Sequence, residues 1–355
     1  MIEISATGPA AARGQAQAGA APVETLRAAT VARVETARAE GLIDADAEAY
    51  LAAQRAFHDA HDPESLAELA GIARAFGLSE ADLFAHLHLG TLRDMKGGAQ
   101  LIEGCSAWAV PGGPEGPLVV KNRDYSGRHL GIQCVFRHAG PDIATGQILS
   151  LGSLGSLAAW SSGINAAGLA IADTQVAVNR HRVGWLRYFL MPRLLARAPT
   201  VAAALAMIRS LPHAGGGTLV MADRQGATAA VELSAGGPAI REGGVQWRTN
   251  HFTTPAIAGE TLGPEGDRIA GNSHARHAFL SRRLPGRDWT AAAARALMAT
   301  HPGPDGAPIC QHADRPDGAE TISCAIYSCR LGAMEVAEGT PCLDRWQAPE
   351  PCRAS

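Results

Sequence analysis

The sequence predicts an α+β fold built in layers, with antiparallel sheets packed against helices. Two observations predict it. Segments with apolar residues three and four positions apart alternate along the 355 residues with short segments of strand character, in the order helices, strands, helices, strands, helices, strands. The composition, 46% hydrophobic and 18% charged, allows a large buried core, and the length allows one large domain or two ordinary ones.

The first helical block covers residues 23–96. The segments VETLRAATVARVETARAEGL, ADAEAYLAAQRAFHDA and PESLAELAGIARAFGL all carry the apolar spacing of an amphipathic helix. Asp62 before Pro63, and Ser79 in LSEADLF, are typical of residues that begin a helix. We therefore expect several helices before residue 100.

From Cys105 onward the pattern predicts strands. Short segments bounded by Gly, Pro or Asp follow one another: SAWAV, PLVVKNRDY, IQCVFRH, QILSL, LAAWSS and LAIADTQVAV. The stretch between Asp142 and Asp173 carries no charge and is long enough to cross a membrane. Its recurring Gly and Ser residues and the turn-like NAAG favour two buried strands instead.

The rest of the chain continues the alternation. Residues 185–211 predict helices broken near Pro192 and Pro199, and strands follow in GTLVMADRQGATAAVELS and GVQWRTNHF. A helical stretch covers residues 273–300, and ETISCAIYSC and RLGAMEVAEG predict the closing strands. No repeat of fixed period is present in the sequence.

Charge and the first residues exclude some classes of partner. The net charge of −3 and the pI near 6.5 give no basic surface for nucleic acid or an anionic membrane, so neither is predicted as a partner. The opening MIEISATGPAAARGQ lacks the basic start and apolar core of a secretory signal. We therefore expect a cytoplasmic protein, and association between copies of the chain is left open.

The cysteines predict reduced thiols. Seven is an odd number, and a cytoplasm keeps thiols reduced. Five of them lie in the last fifty residues: Cys310, Cys324, Cys329, Cys342 and Cys352. None of the seven forms a C-x-x-C pair, and the histidine pairs 86/88 and 274/277 have no matching second pair. No metal site and no cofactor are predicted.

Cys105, in EGCSAWAV, stands apart at the start of the strand block. A cysteine there is commonly a small buried hydrophobe. However, Gly104 permits unusual backbone geometry, Ser106 is small, and the PGGPEGP turn would return KNRDY beside Cys105 in a hairpin. Cleavage of the Gly104–Cys105 bond would give Cys105 an α-amine with a pKa of about 7.7–8, a general base beside its own thiol. A nearby aspartate, such as Asp124, would orient that amine.

Seven motifs in this order resemble one family, the cysteine N-terminal-nucleophile amidohydrolases, and within it the acyl-coenzyme A:6-aminopenicillanic acid acyltransferase-like proteins. The segments that carry the resemblance are GPAAARGQAQAG, EGCSAWAV, KNRDY, GINAAGLAIA, RTNHF, NSHARHAFL and HPGPDGAPICQHAD. Each motif alone is short, but the seven cover most of the chain. Gln311 departs from the family, which usually has arginine at that position.

The resemblance implies a set of catalytic roles. Cys105 would be the nucleophile for self-cleavage and for attack on the substrate amide. Asp124 would hold the new α-amine, and Asn250 would donate to the oxyanion together with a backbone N–H.

It also implies substrate-binding residues. Lys121 stands where relatives often carry arginine, and Asn165 matches an asparagine that lines the site in related hydrolases. Arg123 and Tyr125 lie in the same KNRDY motif and complete the expected set.

The fold and processing that the resemblance implies are specific. Two antiparallel sheets would lie between helical layers in a four-layer αββα sandwich. Cleavage would separate residues 1–104, an α subunit, from residues 105–355, a β subunit that holds the catalytic core, and the two would stay associated. The substrate would be a small molecule with an amide or acyl group, and hydrolysis of a linear N-acyl amide is the preferred reaction.

Other interpretations stay open. The chain could be an uncleaved binding protein with the same fold, or a thiol peptidase that pairs its cysteine with His251 or His274. Asn165 could be a turn residue, Asn250 could form an Asx turn, and Lys121 with Arg123 could be a solvated strand face.

Overall fold

The computed structural model describes residues 1–98, 104–262, 268–304, 306–313 and 318–352, and residues 268–271 by their backbone alone. The α-helices over these residues are α1 (Ala10–Gln15), α2 (Val23–Ala29), α3 (Val31–Ala39), α4 (Ala45–His61), α5 (Pro63–Phe76), α6 (Glu80–Met95), α7 (Arg187–Arg197), α8 (Val201–Ser210), α9 (Pro255–Ala258), α10 (Arg268–Arg283) and α11 (Ala291–Met298). The predicted helical block before residue 100 is confirmed, and Ser79 begins α6 by accepting a 3.2 Å hydrogen bond from the Asp82 N–H.

The strands fall into two sheets. In chain order they are β1 (Ile2–Thr7), β2 (Gly104–Val110), β3 (Leu118–Ser126), β4 (Gln133–Ala139), β5 (Gln147–Ser153), β6 (Ser162–Asn165), β7 (Ala170–Thr174), β8 (Thr218–Ala222), β9 (Thr228–Ser234), β10 (Gly237–Glu242), β11 (Gln246–Arg248), β12 (Ala319–Ser328), β13 (Ala333–Glu338) and β14 (Trp346–Gln347). The eight-stranded sheet has the order β1-β4-β5-β6-β7-β8-β9-β10, and the six-stranded sheet β11-β2-β3-β12-β13-β14.

Three hydrophobic cores separate four layers. The first joins α2–α8 to the outer face of the eight-stranded sheet, the second fills the space between the sheets, and the third joins α10 and α11 to the outer face of the six-stranded sheet. Buried members of these cores are, in turn, Leu69 with Phe136, Ala107 with Val220, and Trp108 with Leu280. The predicted αββα sandwich is confirmed.

The segment before Cys105 is part of this sandwich. Its first residues, not predicted as a strand, form β1, which pairs in parallel with β4, whereas the other ladders are antiparallel. Helix α1 packs closely on α5, because a Cβ atom on Gly14 would lie 2.0 Å from the Glu68 carbonyl oxygen and one on Gly71 would lie 2.1 Å from that of Ala11. This contact explains the glycine of the opening RGQ segment.

The uncharged stretch between Asp142 and Asp173 forms strands, as predicted, but three of them: β5, β6 and most of β7. No helix of the described residues is both long and apolar enough to cross a bilayer. The predicted strand LAAWSS is wrong, because residues 157–161 form turns and bends and β6 begins at Ser162. There the Ala158 N–H donates to the side chain of Glu68, whereas backbone pairing with the neighbouring strands begins at Ser161, whose N–H donates to the Leu151 carbonyl.

Two helix boundaries also differ from the prediction. Helix α7 continues through Pro192, which lies in its second turn, and the break falls only at Pro199. Proline has no N–H, so the helix continues with one i→i−4 donor missing at this position. The helical stretch 273–300 is two helices, α10 and α11, because Gly286 between them adopts a positive φ of 75°.

Candidate active site

The hairpin predicted from the PGGPEGP turn places Cys105 beside the KNRDY motif. Strands β2 and β3 pair antiparallel, with Cys105 opposite Arg123 and Gly104 opposite Asp124. Side chains alternate between the faces of a strand, and Ala107 and Val119 of these strands lie in the core between the sheets. Cys105, Lys121, Arg123 and Tyr125 therefore face the same space between the sheets.

A small cleft opens at this point. Its empty volume is about 210 Å³. The residues that line it are Cys105, Lys121, Arg123, Asp124, Tyr125, Trp160, Ser161, Asp173 and Tyr188. The structure thus brings together five of the residues named from the sequence, and adds three aromatic or acidic side chains that the sequence did not single out.

Asn250 binds the backbone nitrogen of Cys105. Its Oδ1 accepts the Cys105 N–H at 2.9 Å, and its Nδ2 donates to the carbonyl of Gln175 at 2.8 Å. Asn250 follows the short strand β11, and its own N–H donates to Ser273 Oγ of α10 at 2.7 Å. The carboxamide is therefore held between the nitrogen of the proposed nucleophile and a neighbouring strand end.

Arg276 of α10 is a site residue that was not named from the sequence, although it lies in the quoted NSHARHAFL motif. Its Nη1 donates to the Cys105 carbonyl at 2.5 Å and to Ser106 Oγ at 3.1 Å, and its Nη2 donates to Asn250 Oδ1 at 2.7 Å. Burial lowers the pKa of this arginine, while the charge of Asp124 and Cys105 opposes the shift. Arg276 fixes the start of β2 and Asn250 relative to each other.

Asp124 lies at the end of β3, where two donors hold its carboxylate. The hydroxyl of Thr321 donates to Oδ1 at 2.6 Å, and the amide of Gln311 donates to Oδ2. Burial raises the pKa of Asp124 to about 6, and Arg276 and the two hydrogen bonds oppose this shift. Gln311, identified from the sequence only as a departure from the family, therefore contacts a candidate catalytic residue.

The thiol of Cys105 is deeply buried, with 4% of the residue exposed. Burial raises its pKa to about 11, and the positive charge of Lys121 opposes that shift. In the intact chain the thiol is therefore neutral near pH 7 and needs deprotonation before it can attack a carbonyl.

Lys121 belongs to a buried ion network. Its Nζ contacts the carboxylate of Asp173 and donates to the Ser161 carbonyl at 3.2 Å, while Arg187 Nε donates to the other oxygen of Asp173 at 2.7 Å. Asp173, on β7, was not named as a site residue. Its signal in the sequence was an acid at the end of a long uncharged stretch.

Arg123 and Tyr125 line the opposite part of the cleft. The Arg123 guanidinium donates to two neutral oxygens, Gln133 Oε1 at 3.1 Å and Ser153 Oγ at 2.9 Å. The hydroxyl of Tyr125 accepts a hydrogen bond from Arg33 of α3. A helix from the segment before Cys105 therefore reaches the edge of the cleft.

Asn165 is not among the described residues that line the cleft. Its Nδ2 donates to the Leu195 and Ala198 carbonyls at 2.9 and 2.8 Å, at the C-terminal end of α7, and its Oδ1 accepts the Leu169 N–H at 3.1 Å. The last carbonyls of a helix lack partners within the helix. Asn165 therefore satisfies a helix end and a tight turn between β6 and β7.

The described lining of the cleft contains no histidine. Nδ1 of His251 forms a 2.8 Å hydrogen bond with Ser273 Oγ. The centroid of the His251 ring lies 3.9 Å from that of His274. Burial lowers the pKa of His251 to about 3, and the neighbouring His274 and His277 add to the shift. Neither imidazole is placed as a base for Cys105.

A second group of chemically active side chains lies outside the cleft. Within the described residues, one set of three or more potential metal ligands is brought together: His301, Cys310, His312 and Cys342. Their separations along the chain, nine, two and thirty residues, do not resemble the C-x-x-C spacing used in the sequence analysis. That spacing rule therefore could not find them.

Two sheets between helical layers are the fold of the N-terminal-nucleophile hydrolases. Within this class, the model of the acyl-coenzyme A:6-aminopenicillanic acid acyl-transferase family matches residues 112–342, and the chain belongs to that family. No curated protein matches the chain by sequence.

Three solved structures are similar to the chain at low identity. A mutant of conjugated bile acid hydrolase from Clostridium perfringens is 12% identical over 69% of this chain and 96% of its own, with a TM-score of 0.40. Penicillin V acylase from Agrobacterium tumefaciens is 14% identical over 66% and 83%, with a TM-score of 0.37. The Caenorhabditis elegans ortholog of N-acylethanolamine-hydrolyzing acid amidase is 10% identical over 64% and 94%, with a TM-score of 0.42. The fold assignment rests on the strand order and not on these superpositions.

Proposed function

We propose that the chain is a self-processing amidohydrolase or acyltransferase whose nucleophile is the thiol of Cys105 and whose general base is the α-amine that cleavage creates. One observation carries the proposal: Asn250 holds the backbone nitrogen of Cys105, in a cleft where Asp124 lies opposite Gly104. Family membership supports the same chemistry. No imidazole is needed, because the α-amine takes the role of base.

Processing begins with attack of Cys105 Sγ on the Gly104 carbonyl carbon. The thiol loses its proton, the C–S bond forms and the C–N bond breaks, so the acyl group moves from nitrogen to sulfur and the nitrogen takes up a proton. Water then hydrolyses the thioester to a Gly104 carboxylate and a free thiol. Arg276, which contacts the Cys105 carbonyl, and Asn250 hold the scissile segment during these steps.

Turnover reuses the same atoms. The α-amine takes the thiol proton, the thiolate attacks the substrate carbonyl, and the protonated amine returns the proton to the leaving amine. Asn250 is proposed as an oxyanion donor through Nδ2. A carboxamide has two N–H bonds, so this role is compatible with the contact to Gln175. Water, or an acceptor amine, releases the acyl group from sulfur.

The lining supports a linear N-acyl amide as substrate. Tyr125, Trp160 and Tyr188 offer aromatic surface to an acyl chain, and the family is named for acyl transfer. Arg123 has neutral partners in the contacts above, so its charge favours a substrate that also carries an anionic group. A panel of paired amides, each with and without a carboxylate, read by release of the amine, tests both parts.

We also expect the enzyme to act in the cytoplasm, since all seven cysteines are unpaired.

Intact mass and N-terminal sequencing test the processing step. Cleavage before Cys105 should split the 36.8 kDa chain of 355 residues, in proportion to length, into chains of about 11 and about 26 kDa, the larger beginning at Cys105. Cys105→Ala should stay one chain. Cys329→Ala, which removes a fully buried thiol from elsewhere in the fold, should split like the wild type.

The outcomes separate the competing functions. Splitting of Cys105→Ala at the same bond would show that another group cleaves it. A single wild-type chain that hydrolyses amides would favour a thiol peptidase paired with a histidine. A single wild-type chain that binds small amides without hydrolysing any would favour a binding protein.

A further inference from the structure

His301, Cys310, His312 and Cys342 converge from three separate segments outside the cleft. His301 follows α11, Cys310 and His312 precede β12, and Cys342 lies in the short turn that follows β13. A backbone hydrogen bond of 2.9 Å from the Cys310 N–H to the Thr300 carbonyl holds two of these segments together. The four ligand atoms all lie within 4.8 Å of one another.

The separations match a tetrahedral metal site. Bonds of about 2.0–2.1 Å to nitrogen and about 2.3 Å to sulfur place two nitrogens about 3.3 Å apart, and nitrogen and sulfur about 3.6 Å apart, around one ion. The structure has 3.1 Å between the Nε2 atoms of His301 and His312, 3.5 Å from Cys342 Sγ to His312 Nε2, and 3.8 Å from Cys310 Sγ to the same nitrogen.

We propose that these four residues bind one Zn²⁺ ion in a closed Cys₂His₂ site. Two thiolates and two imidazoles are the donor set that zinc prefers, and four protein ligands leave no open position, as in structural rather than catalytic zinc sites. His301 and His312 are exposed, so a metal ion can enter the group of four residues from solvent. Cys310 is buried, so the bound ion would also contact the interior side of the group. The site joins three loop segments, two of which flank the paired strands β12 and β13, and so stabilises the folded chain.

The zinc site also has a consequence for the cleft, which rests on the proposed function. Cys310 and His312 are the two neighbours of Gln311, whose amide donates to the carboxylate of Asp124. The backbone of Gln311 is held by Thr321, because the Gln311 N–H donates to Thr321 Oγ1 and the Thr321 N–H donates to the Gln311 carbonyl, both at 2.9 Å. One zinc ion bound by both Cys310 and His312 would therefore hold Gln311 between them. It would so position the side-chain amide that donates to Asp124.

Metal analysis of the full chain tests the site. The purified wild type should hold about one zinc per chain, and after chelation it should bind Co²⁺ with the visible bands of tetrahedral sulfur and nitrogen coordination. Cys342→Ser and, as a second variant, the exposed His301→Ala should lose the metal. Cys352→Ser, which removes another partly exposed thiol, should keep it. Zinc should raise the Tm of the wild type and of Cys352→Ser, but not that of Cys342→Ser.

Two results would overturn the site. One is a folded, reduced wild type that binds neither Zn²⁺ nor Co²⁺. The other is peptide mapping without reductant that shows a Cys310–Cys342 disulfide as the native state. Both are distinct from failure of the proposed function, because Cys105→Ala should still bind zinc and Cys342→Ser should still be cleaved.

The positioning of Gln311 has its own test in the cleaved enzyme. Gln311→Ala and zinc removal should each lower kcat by about tenfold, the lower end of the loss for a hydrogen bond to a charged group, and the two together should lower it no further. If the two losses multiply, or if zinc removal leaves kcat unchanged, the site does not act on Asp124 through Gln311.

Discussion

Two groups of thiols, Cys105 on one side and the pair Cys310 and Cys342 on the other, differ in almost every partner. Cys105 lies between the sheets, 4% exposed, with a carboxylate, a lysine and an arginine nearby and no histidine among the described residues that line its cleft. Cys310 and Cys342 lie outside the cleft, each within 3.8 Å of the imidazole of His312. One region isolates a single thiol, and the other gathers two thiols with two imidazoles.

The comparison shows that neighbours, not the cysteine itself, decide the chemistry. Two thiols beside two imidazoles can bind a metal ion as thiolates, and their protons are released to solvent. The buried thiol of Cys105, whose pKa is raised to about 11, stays protonated until a base is supplied. On the proposed function that base is formed only by cleavage, so the intact chain is inactive.

Alkylation should separate the regions most strongly. Iodoacetamide should abolish the activity of the cleaved enzyme by labelling Cys105, because its α-amine activates that thiol, while zinc protects Cys310 and Cys342. After chelation, Cys342 should also be labelled, since it is the more exposed of the pair. Peptide mapping of partially inactivated protein measures both.

The intact Cys105→Ala chain is the control for this experiment, since only the zinc ligands can then respond to chelation. Complete loss of activity in the zinc-bound enzyme that follows labelling of Cys329 or Cys342, while Cys105 stays unmodified, would place the nucleophile elsewhere.

Replacement of Asn250 should cause the next largest effect. Asn250→Ala should lower the kcat of the processed fraction by about 10²- to 10³-fold, the usual loss for an oxyanion donor. Asn250→Asp keeps an oxygen for the Cys105 nitrogen but removes Nδ2, so it should be processed and still turn over slowly. A loss under about threefold for the Ala variant would make Asn250 a structural residue.

Much of this active site could be predicted from the sequence. The period-two pattern of KNRDY places Lys121, Arg123 and Tyr125 on one face of a strand, and the glycine-rich turn before it predicts the hairpin that brings them to Cys105. The roles of Cys105 and Asp124 follow from the residues around Cys105 and also from the resemblance, whereas the role of Asn250 follows from the resemblance alone. They stay predictions until the variants are measured.

The rest of the arrangement depends on contacts that no local pattern contains. Arg276 reaches Cys105 from 171 positions away, through the packing of α10 on the outer face of the sheet. The zinc ligands come from three loops whose approach is fixed by the ladders between them. The motif around Asn165 does not distinguish two roles, because a helix end and a tight turn favour asparagine as strongly as a substrate does.

The pH dependence of processing and of turnover should differ. Burial raises the pKa of Cys105 to about 11 in the intact chain, so the thiolate fraction, and with it the rate of self-cleavage, should rise about tenfold per pH unit from about pH 6 to about pH 9. Turnover by the cleaved enzyme should rise through the α-amine's pKa, about 7.7–8, and then level. Mass spectrometry of samples quenched at successive times measures the rate of self-cleavage, and release of the amine measures the rate of turnover.

A processing rate that instead levels just above pH 6 would identify Asp124, whose pKa is raised to about 6, as the base for self-cleavage. Asp124→Asn distinguishes the two cases, because it would then remove the rise. On our proposal the Asn variant keeps the slope and loses rate, since only the orientation of the nitrogen is impaired.

Replacement of Asn165 should have the smallest effect on activity. It serves as a control for both the cleft and the proposed zinc site, because Asn165 belongs to neither. Asn165→Ala removes a donor from the Ala198 carbonyl and one from the Leu195 carbonyl, which still accepts the Thr145 hydroxyl, so it should destabilise the fold by about 1–3 kcal/mol. Urea unfolding in the uncleaved Cys105→Ala background measures this on a single chain. Asn179→Ala, the matched change at an exposed asparagine, should stay within about 0.5 kcal/mol. In the active enzyme, well below its Tm, Asn165→Ala should keep kcat and KM within about twofold, because the side chain does not line the cleft. The variant should also keep its zinc content, because Asn165 is not one of the four proposed zinc ligands. A rise in KM without loss of stability would return Asn165 to the substrate site.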